Sequence, residues 1–311
     1  DASEAAKGIA EIATQGETDA GIDDSRIVTP HKLYSTPGMF RKNAIINGAM
    51  EIAQRGTTFA AAANGQFIVD RFMYVKDGTS AVHTVGQSVD APAGSGFLYS
   101  ALLDCTTADT SIVASEFAGI FYVVEGWDFA RFKGRRGVLS FLVKATKTGT
   151  YCVSFRNAGN DRSYVAEYTV NQSNVWEYKS IPINFDYTGG TWDYINGRGI
   201  GIQWSVACGS TYHTTPGSWQ AGVYLATANQ VNACDSTAND FKLTGVQLEI
   251  GSKATPFELL PYAETLALCQ RYFVVFGASN DGQELIGSGF SDGASTAMAL
   301  VNHPVEMRAL P

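Results

Sequence analysis

The sequence predicts an all-β protein: a jelly-roll β-sandwich of about ten short strands. A short helical segment precedes it, and one helix and a partial β region follow. Three observations predict this. Gly 32, Tyr 14 and Phe 17 in 311 residues, with few long polar runs, are the composition of many turns and half-buried strands. From Gln66 to Gly251 strand signals recur every ~8–15 residues. Between them lie turn clusters rather than helical patterns: Asp77-Gly78, Lys147-Thr148-Gly149, Ala158-Gly159-Asn160-Asp161, Thr188-Gly189-Gly190 and Asn196-Gly197. Short strands without long intervening helices fold as two packed sheets.

The chain is long enough for two or three domains. It divides into 1–38, 39–260 and 261–311. Residues 1–38 are Ala-rich, with too few large apolar residues to bury a core. Ser3 and Thr14 are candidate N-caps, and Thr14 with Glu17 has capping-box spacing. Thr29-Pro30 reads as N-cap and first turn of a short helix through Leu33. Helices this short, separated by Gly8, Gly16 and Gly21, are marginal in water and need neighbours. In NAIINGAMEIAQRGTTF, Asn43 to Phe59, Asn47-Gly48 is a turn dipeptide. Arg55 is placed to cap carbonyls or to pair with Asp70.

Strands are expected near 66–76, 79–87, 96–104, 116–125, 138–146, 149–157, 163–170, 176–183, 198–208, 219–226 and 241–250. One hairpin is specified in register. Tyr151, Val153 and Phe155 share a face with Tyr164, Ala166 and Tyr168 only if Phe155 lies opposite Tyr164 and Val153 opposite Ala166, because a one-residue slip inverts a strand. Cys152 then faces Glu167. The last strand carries Leu243, Val246, Leu248 and Ile250 and ends at Gly251. Thr255-Pro256 is extended, and Pro261 opens a helix with Tyr262, Leu266, Cys269 and Phe273 at helical spacing. Beyond Phe273 the chain reads as strands broken by Gly and Asp, with HPVEMRALP the start of one. The chain begins at Asp1 without Met and stops at MRALP, which reads as a fragment of a longer protein.

The formal charge is −8, with Lys and Arg scattered. Nucleic-acid binding needs clustered cations, so that partner is not expected. There is no apolar run long enough to span a membrane and no signal peptide. Five cysteines, odd in number and without a C-x-x-C pair, read as isolated thiols in a reducing cytoplasm. His31, His83, His213 and His303 form no zinc spacing, and His83 reads as a surface or edge residue. Gly197–Gly201 has no helix behind it to make a phosphate cradle. No nucleophile elbow or calcium loop occurs, and neither a metal nor a cofactor is expected. Carboxylate pairs are many (Asp104/Asp109, Glu116, Glu125/Asp128, Asp161, Glu167, Asp186, Asp193), and none is distinctive enough to mark a glycosidase.

Ligand contact is expected in loops. One loop, Gly209 to Gly217, offers Tyr212 to stack and His213 to hydrogen-bond. The other, at 157–162, offers Asn157, Asn160, Asp161 and Arg162. Among the tryptophans, Trp204 reads as core, and Trp176, Trp192 and Trp219 as packing.

Several stretches carry a resemblance. DASEAAKGIAEIATQGETDAGIDDSRIVTPHKL is similar to a tail-fibre repeat. The succession Asn47-Gly48, Gln54-Arg55-Gly56, Asp70-Arg71 has the pattern NG…QRG…DR. EGWDFARFKG, LSFLVKATKTGTYCVSFRN, DRSYVAEYTVNQSNVWEYKSIPI and WQAGVYLATANQVN look like one jelly-roll module, and QLEIGSKATPFE with ALCQRYF like the junction after it. Together they resemble bacteriophage tail-fibre and receptor-binding proteins. The resemblance implies a homotrimer on the virion tail, assembled in the bacterial cytoplasm. Residues 1–38 would join other tail or baseplate proteins, and the jelly roll would present loops to a bacterial surface glycan, without catalysis. It implies that NG…QRG…DR is scaffold. Two alternatives stay open: a capsule- or lipopolysaccharide-degrading tail enzyme, and a structural spacer whose receptor tip lies beyond residue 311.

Overall fold

The computed structural model describes residues 11–20, 26–29, 32–33, 42–185, 188–276, 288–291, 293 and 297–309. Near the start, helix α1 (Gln15–Ala20) carries the expected capping box: Glu17 N donates to Thr14 Oγ1 at 3.3 Å and Thr14 N to Glu17 Oε2 at 2.8 Å. Lys32 N donates to Thr29 Oγ1 at 3.4 Å, as the second cap requires. Ser3, Gly8, Gly21, Pro30 and His31 lie outside the described residues.

The strands in chain order are β1 (Thr58–Phe59), β2 (Phe67–Val69), β3 (Phe72–Asp77), β4 (Val82–Ser88), β5 (Ser100–Thr107), β6 (Phe117–Glu125) and β7 (Arg136–Ala145). There follow β8 (Gly149–Asn157), β9 (Arg162–Val170), β10 (Glu177–Asn184), β11 (Arg198–Cys208), β12 (Trp219–Ala221) and β13 (Asp240–Ile250). They form an antiparallel sandwich of a six-stranded sheet, β1-β4-β5-β13-β7-β10, and a seven-stranded sheet, β12-β9-β8-β11-β6-β3-β2. Counting β5 to β11 and β13 as eight core strands, one sheet runs first, eighth, third, sixth and the other fifth, fourth, seventh, second. That interleaving is the jelly roll the sequence predicts. Short pieces at the sheet edges, β1, β2 and β12, present little unpaired backbone.

One core fills the space between the sheets, with Trp204, Tyr74, Tyr122, Tyr151, Phe72 and Phe141 among its fully buried side chains. The β8–β9 hairpin has the expected register, Phe155 opposite Tyr164, Val153 opposite Ala166 and Cys152 opposite Glu167. Its turn is closed by Asn160 at φ +56°, a left-handed position that Asn tolerates. In β13 the inward residues Leu243 and Val246 stand three apart, which strict alternation forbids. Gly245, at φ +60°, makes a bulge between Thr244 and Gln247 that restores the parity. Beside it, Gly48 donates no side chain because none fits: a Cβ there would lie 2.1 Å from Val246 O. Instead Val246 N bonds Gly48 O at 3.0 Å, and the Asn43–Met50 segment is stitched along β13.

Helix α2 (Gly126–Phe129) follows β6, and helix α3 (Tyr262–Gln270) follows β13, with Pro261 at its N-cap. A final hairpin joins β14 (Ser288–Ser291) and β15 (Ala297–Leu300).

Several expectations need correction. The strand expected at 219–226 is only 219–221, because residues 222–227 leave the edge to cross the outer face, where Tyr224 N and Gly222 O both bond Ser163 Oγ. Residues 303–309 are not a strand. His83 is buried rather than at the surface: the inward set of its strand is Ala81, His83 and Val85. Tyr74 Oη lies 2.8 Å from its Nδ1 and supplies the polar partner. Tyr262 is exposed, and the inward face of α3 is Thr265 and Cys269. All five cysteines are free and buried.

Candidate functional site: an arginine-lined cleft beneath the C-terminal helix

The segments that carry the resemblance meet in space. Asn47, in its left-handed turn, uses its amide to tie Ile52 O and Asp70 O, each at 2.9 Å, and accepts from Ile52 N at 3.0 Å. Gln54 N donates to Asp70 Oδ1 at 3.2 Å, and the Gln54 side chain bridges Asp70 and Phe273 O. Arg55 pairs with Asp70 at 3.4 Å, as one of the two sequence readings has it. Its guanidinium also lies 4.1 Å from the Phe67 ring centroid and 3.5 Å from that of Phe273. Arg71, at φ +76° in the β2–β3 turn, lies 3.4 Å over Tyr272 and donates to Val123 O at 2.5 Å. Glu125 receives Arg271 at 2.8 and 3.2 Å and the Tyr272 hydroxyl. Cys269 packs with Ile46 and Ile52. These groups clamp α3 and residues 271–273 onto the sandwich, which is the scaffold role expected of NG…QRG…DR.

The junction QLEIGSKATPFE is likewise spent on structure. Glu249 accepts from Thr255 N at 2.8 Å and Thr255 Oγ1 at 2.7 Å, and Glu258 accepts from Lys42 N and Asn43 N at 2.9 to 3.1 Å. Both carboxylates are buried and fully used.

Between α3 and the outer face of the seven-stranded sheet the clamp leaves a cleft of about 360 Å³, at the small end of ligand sites. Phe67, Met73, Val123, Tyr272 and Phe273 give it an apolar lining, and Arg55, Arg71, Arg198 and Arg308 its charge. A register shift between Arg198 and Ile200 turns Arg198 to the outer face. Arg308 arrives from the C-terminal segment, which Asn196 holds through Arg308 O at 2.9 Å. Two carboxylates line the cleft, Asp70 and Glu125. Burial raises Asp70 above its ordinary value, against the opposing Gln54 and Arg55 contacts. Burial would raise Glu125 too, but Arg271 and Tyr272 outweigh it and hold the group below its ordinary value.

The residues expected to touch a ligand fall in two places. Ile200 lies opposite Asn157 and Ser205 opposite Cys152, so the 157–162 loop and the loop after Cys208 sit at opposite ends of β8 and β11. Asn157 is fully buried. Its Oδ1 accepts from Asp161 N and Arg162 N, both at 3.1 Å, and its Nδ2 donates to Asp161 Oδ1 at 2.5 Å. Asp161 in turn accepts from Thr191 N and Oγ1. Asn160 is exposed and Arg162 half-buried. Tyr212 is half-buried with its ring edge-on to Phe117 at 5.3 Å, and His213 Nε2 lies 3.0 Å from Cys208 O. The exposed tip of that loop is Thr215–Ser218. Sequence reasoning missed Arg71, Arg198, Tyr272 and Arg308 as a group. Arg71 lay inside a motif read as scaffold, Tyr272 in the junction stretch, Arg198 in a dismissed glycine run, and Arg308 in a stretch expected to be a strand.

No protein-family model matches the sequence, and no curated protein is significantly similar to it. Among solved structures, the chain is similar to the enzymatically active domain of tailspike protein 4 of bacteriophage CBA120. The match has 14% identity and a TM-score of 0.35, over 73% of this chain and 22% of that one. It is also similar to a family 11 carbohydrate-binding module of Clostridium thermocellum solved with a β-1,3-1,4-mixed-linked tetrasaccharide. Here the identity is 13% and the TM-score 0.33, over 65% of this chain and 97% of that one. Neither likeness is close enough to carry a ligand or an activity across.

Proposed function

We propose that this chain is a non-enzymatic, glycan-binding module of a bacteriophage tail fibre. It acts as a homotrimer on the virion tail, with residues 1–38 joined to other tail or baseplate proteins and the sandwich turned to a bacterial surface glycan. The observation that carries the reading is the meeting of Asn47, Gln54, Arg55, Asp70, Arg71, Arg271 and Tyr272 in one bonded cluster. A likeness scattered along a chain converges this way when it belongs to a whole fold. The cleft above that cluster supports the binding role, since ring faces and fixed guanidinium donors are groups that hold sugars.

The opposite shifts of Asp70 and Glu125 in one cleft favour a second reading, a capsule- or lipopolysaccharide-degrading tail enzyme. Against it, both carboxylates are buried and held by Gln54, Arg55, Arg271 and Tyr272, whereas a glycosidase presents its pair to the sugar. The test is binding of the chain to host cells and to a glycan array, with an assay for new reducing ends. Saturable binding without release is expected. Release that Asp70→Asn or Glu125→Gln abolishes would establish the enzyme instead, and binding only by a version extended past residue 311 would make this chain a spacer.

A further inference from the structure

The charge in the cleft is unbalanced. Of its arginines, Arg55 is paired with Asp70, and the other lining carboxylate, Glu125, is taken by Arg271. Among the described residues no carboxylate stands within 4.0 Å of Arg71, Arg198 or Arg308. Arg156, next to Arg198 on the same sheet face, has none either. Arg156, Arg198 and Arg308 each donate through one terminal nitrogen, to Gln203 Oε1, to Asn157 O and Ala158 O, and to Asn196 O, and Arg71 donates to Val123 O and meets the Tyr122 hydroxyl. A guanidinium has five N–H donors, so most remain unused. Burial and the neighbouring Arg198 cation lower Arg156 to about 10. Cations gathered on one sheet face, in a chain of net charge −8, repel one another and gain from an anion set among them.

We infer that the cleft takes an anionic saccharide, whose carboxylate or phosphate is met by Arg71, Arg198 and Arg308 while a sugar face lies against the Tyr272 and Phe273 side of the lining. This rests on the glycan-binding reading and narrows it to acidic surface sugars. Guanidinium groups suit both anions, because their forked donors match two oxygens at once. A nucleic-acid backbone, the other polyanion, would meet the acidic remainder of the surface as soon as it left the cleft.

The experiment is calorimetric titration of the full chain with three probes: tetragalacturonate, the same oligosaccharide with its carboxyls reduced to alcohols, and galactose 1-phosphate. One or both acidic probes should bind about tenfold or more tightly than the neutral one, the worth of a single charge-assisted contact. That preference should shrink as salt is added. The stronger acidic probe identifies carboxylate or phosphate as the source. Arg198→Gln and Arg308→Gln should each weaken the acidic probe about tenfold and the neutral one much less. The exposed Arg308 side chain donates only to Asn196 O, and the residue's main-chain bonds to Asn196 and Arg271 survive the substitution, so its replacement tests the site even if the Arg198 variant misfolds. Equal binding of acidic and neutral probes overturns the inference and leaves the glycan reading standing. So does acidic binding that neither substitution weakens, or host-cell binding with none of the three probes bound. Failure to bind both probes and host cells overturns the glycan reading as well.

Discussion

Arg55 couples the sandwich to the C-terminal helix in three ways at once: an ion pair to Asp70 and ring contacts to Phe67 and Phe273. Removing one partner of a buried pair costs more than the pair is worth, because the survivor stays buried and unpaired. Arg55→Ala should therefore cost about 3 kcal/mol in urea denaturation. Arg55→Lys should recover little of it, since an ammonium cannot lie flat over two rings. Asp70→Asn should cost less, and the double variant less than the sum of the two. His83 gives a pH test. Burial and the nearby Lys76 cation lower its pKa to about 4, against about 6.5 unfolded. The folded state thus refuses a proton that the unfolded chain accepts, so this contribution is fully present above pH ~6.5 and is lost as pH falls towards 4. Unfolding free energy from denaturation should drop across that window by on the order of 3 kcal/mol more in the parent than in His83→Asn, which keeps an acceptor for Tyr74 but cannot titrate. Equal pH profiles would show that the imidazole is not held neutral.

At the scale of elements, the strands were legible wherever alternation met a turn signal. β8, β9 and β11 stand where their patterns place them, and the register between β8 and β9 follows from keeping two apolar sets on one face. Legibility failed where the third dimension decides. His83 shares its parity with Ala81 and Val85, and partners from elsewhere in the fold, Tyr74 and Cys234, make that position tolerable for an imidazole. Tyr212 and His213 sit in a loop by sequence, yet that loop folds back. Leu225 N bonds Tyr212 O at 2.9 Å, and the Tyr212 ring closes a small cluster with Phe117, Cys208 and Leu225. Exposed loop residues can be cut to Ala almost without cost; these two cannot. The Tyr212→Ala, His213→Ala double variant should lose about 1–2 kcal/mol, within the range of buried-contact losses. Its binding to host cells should be unchanged, because the cleft lies with α3. A loss of binding at full folded population would return the receptor contact to this loop.

For the whole molecule, the cleft could not be read ahead because its arginines come from separated places: the β2–β3 turn, the bulged start of β11 and the C-terminal segment. Each has an unremarkable neighbourhood in sequence, and only the jelly-roll order and the docking of α3 bring them together. The same logic applies one level up, to assembly. Among the described residues near the start of the chain, apolar side chains stand in solvent: Ile12 is 55% exposed and Ile27 53%, although the two stretches that carry them bridge each other. Burying those side chains against other copies would lower the free energy of the segment. Three copies would also present three clefts to one cell surface, and weak sugar sites gain avidity by engaging together. Light scattering of the chain at micromolar concentration should therefore give the mass of a trimer. Ile12→Asp with Ile27→Asp should shift it to monomer, because each charge would have to be buried at the new contact. Cell binding should then fall steeply while oligosaccharide affinity per site stays the same, since the cleft is built within one copy. A monomeric parent would remove the homotrimer from the proposed function and leave the cleft untouched.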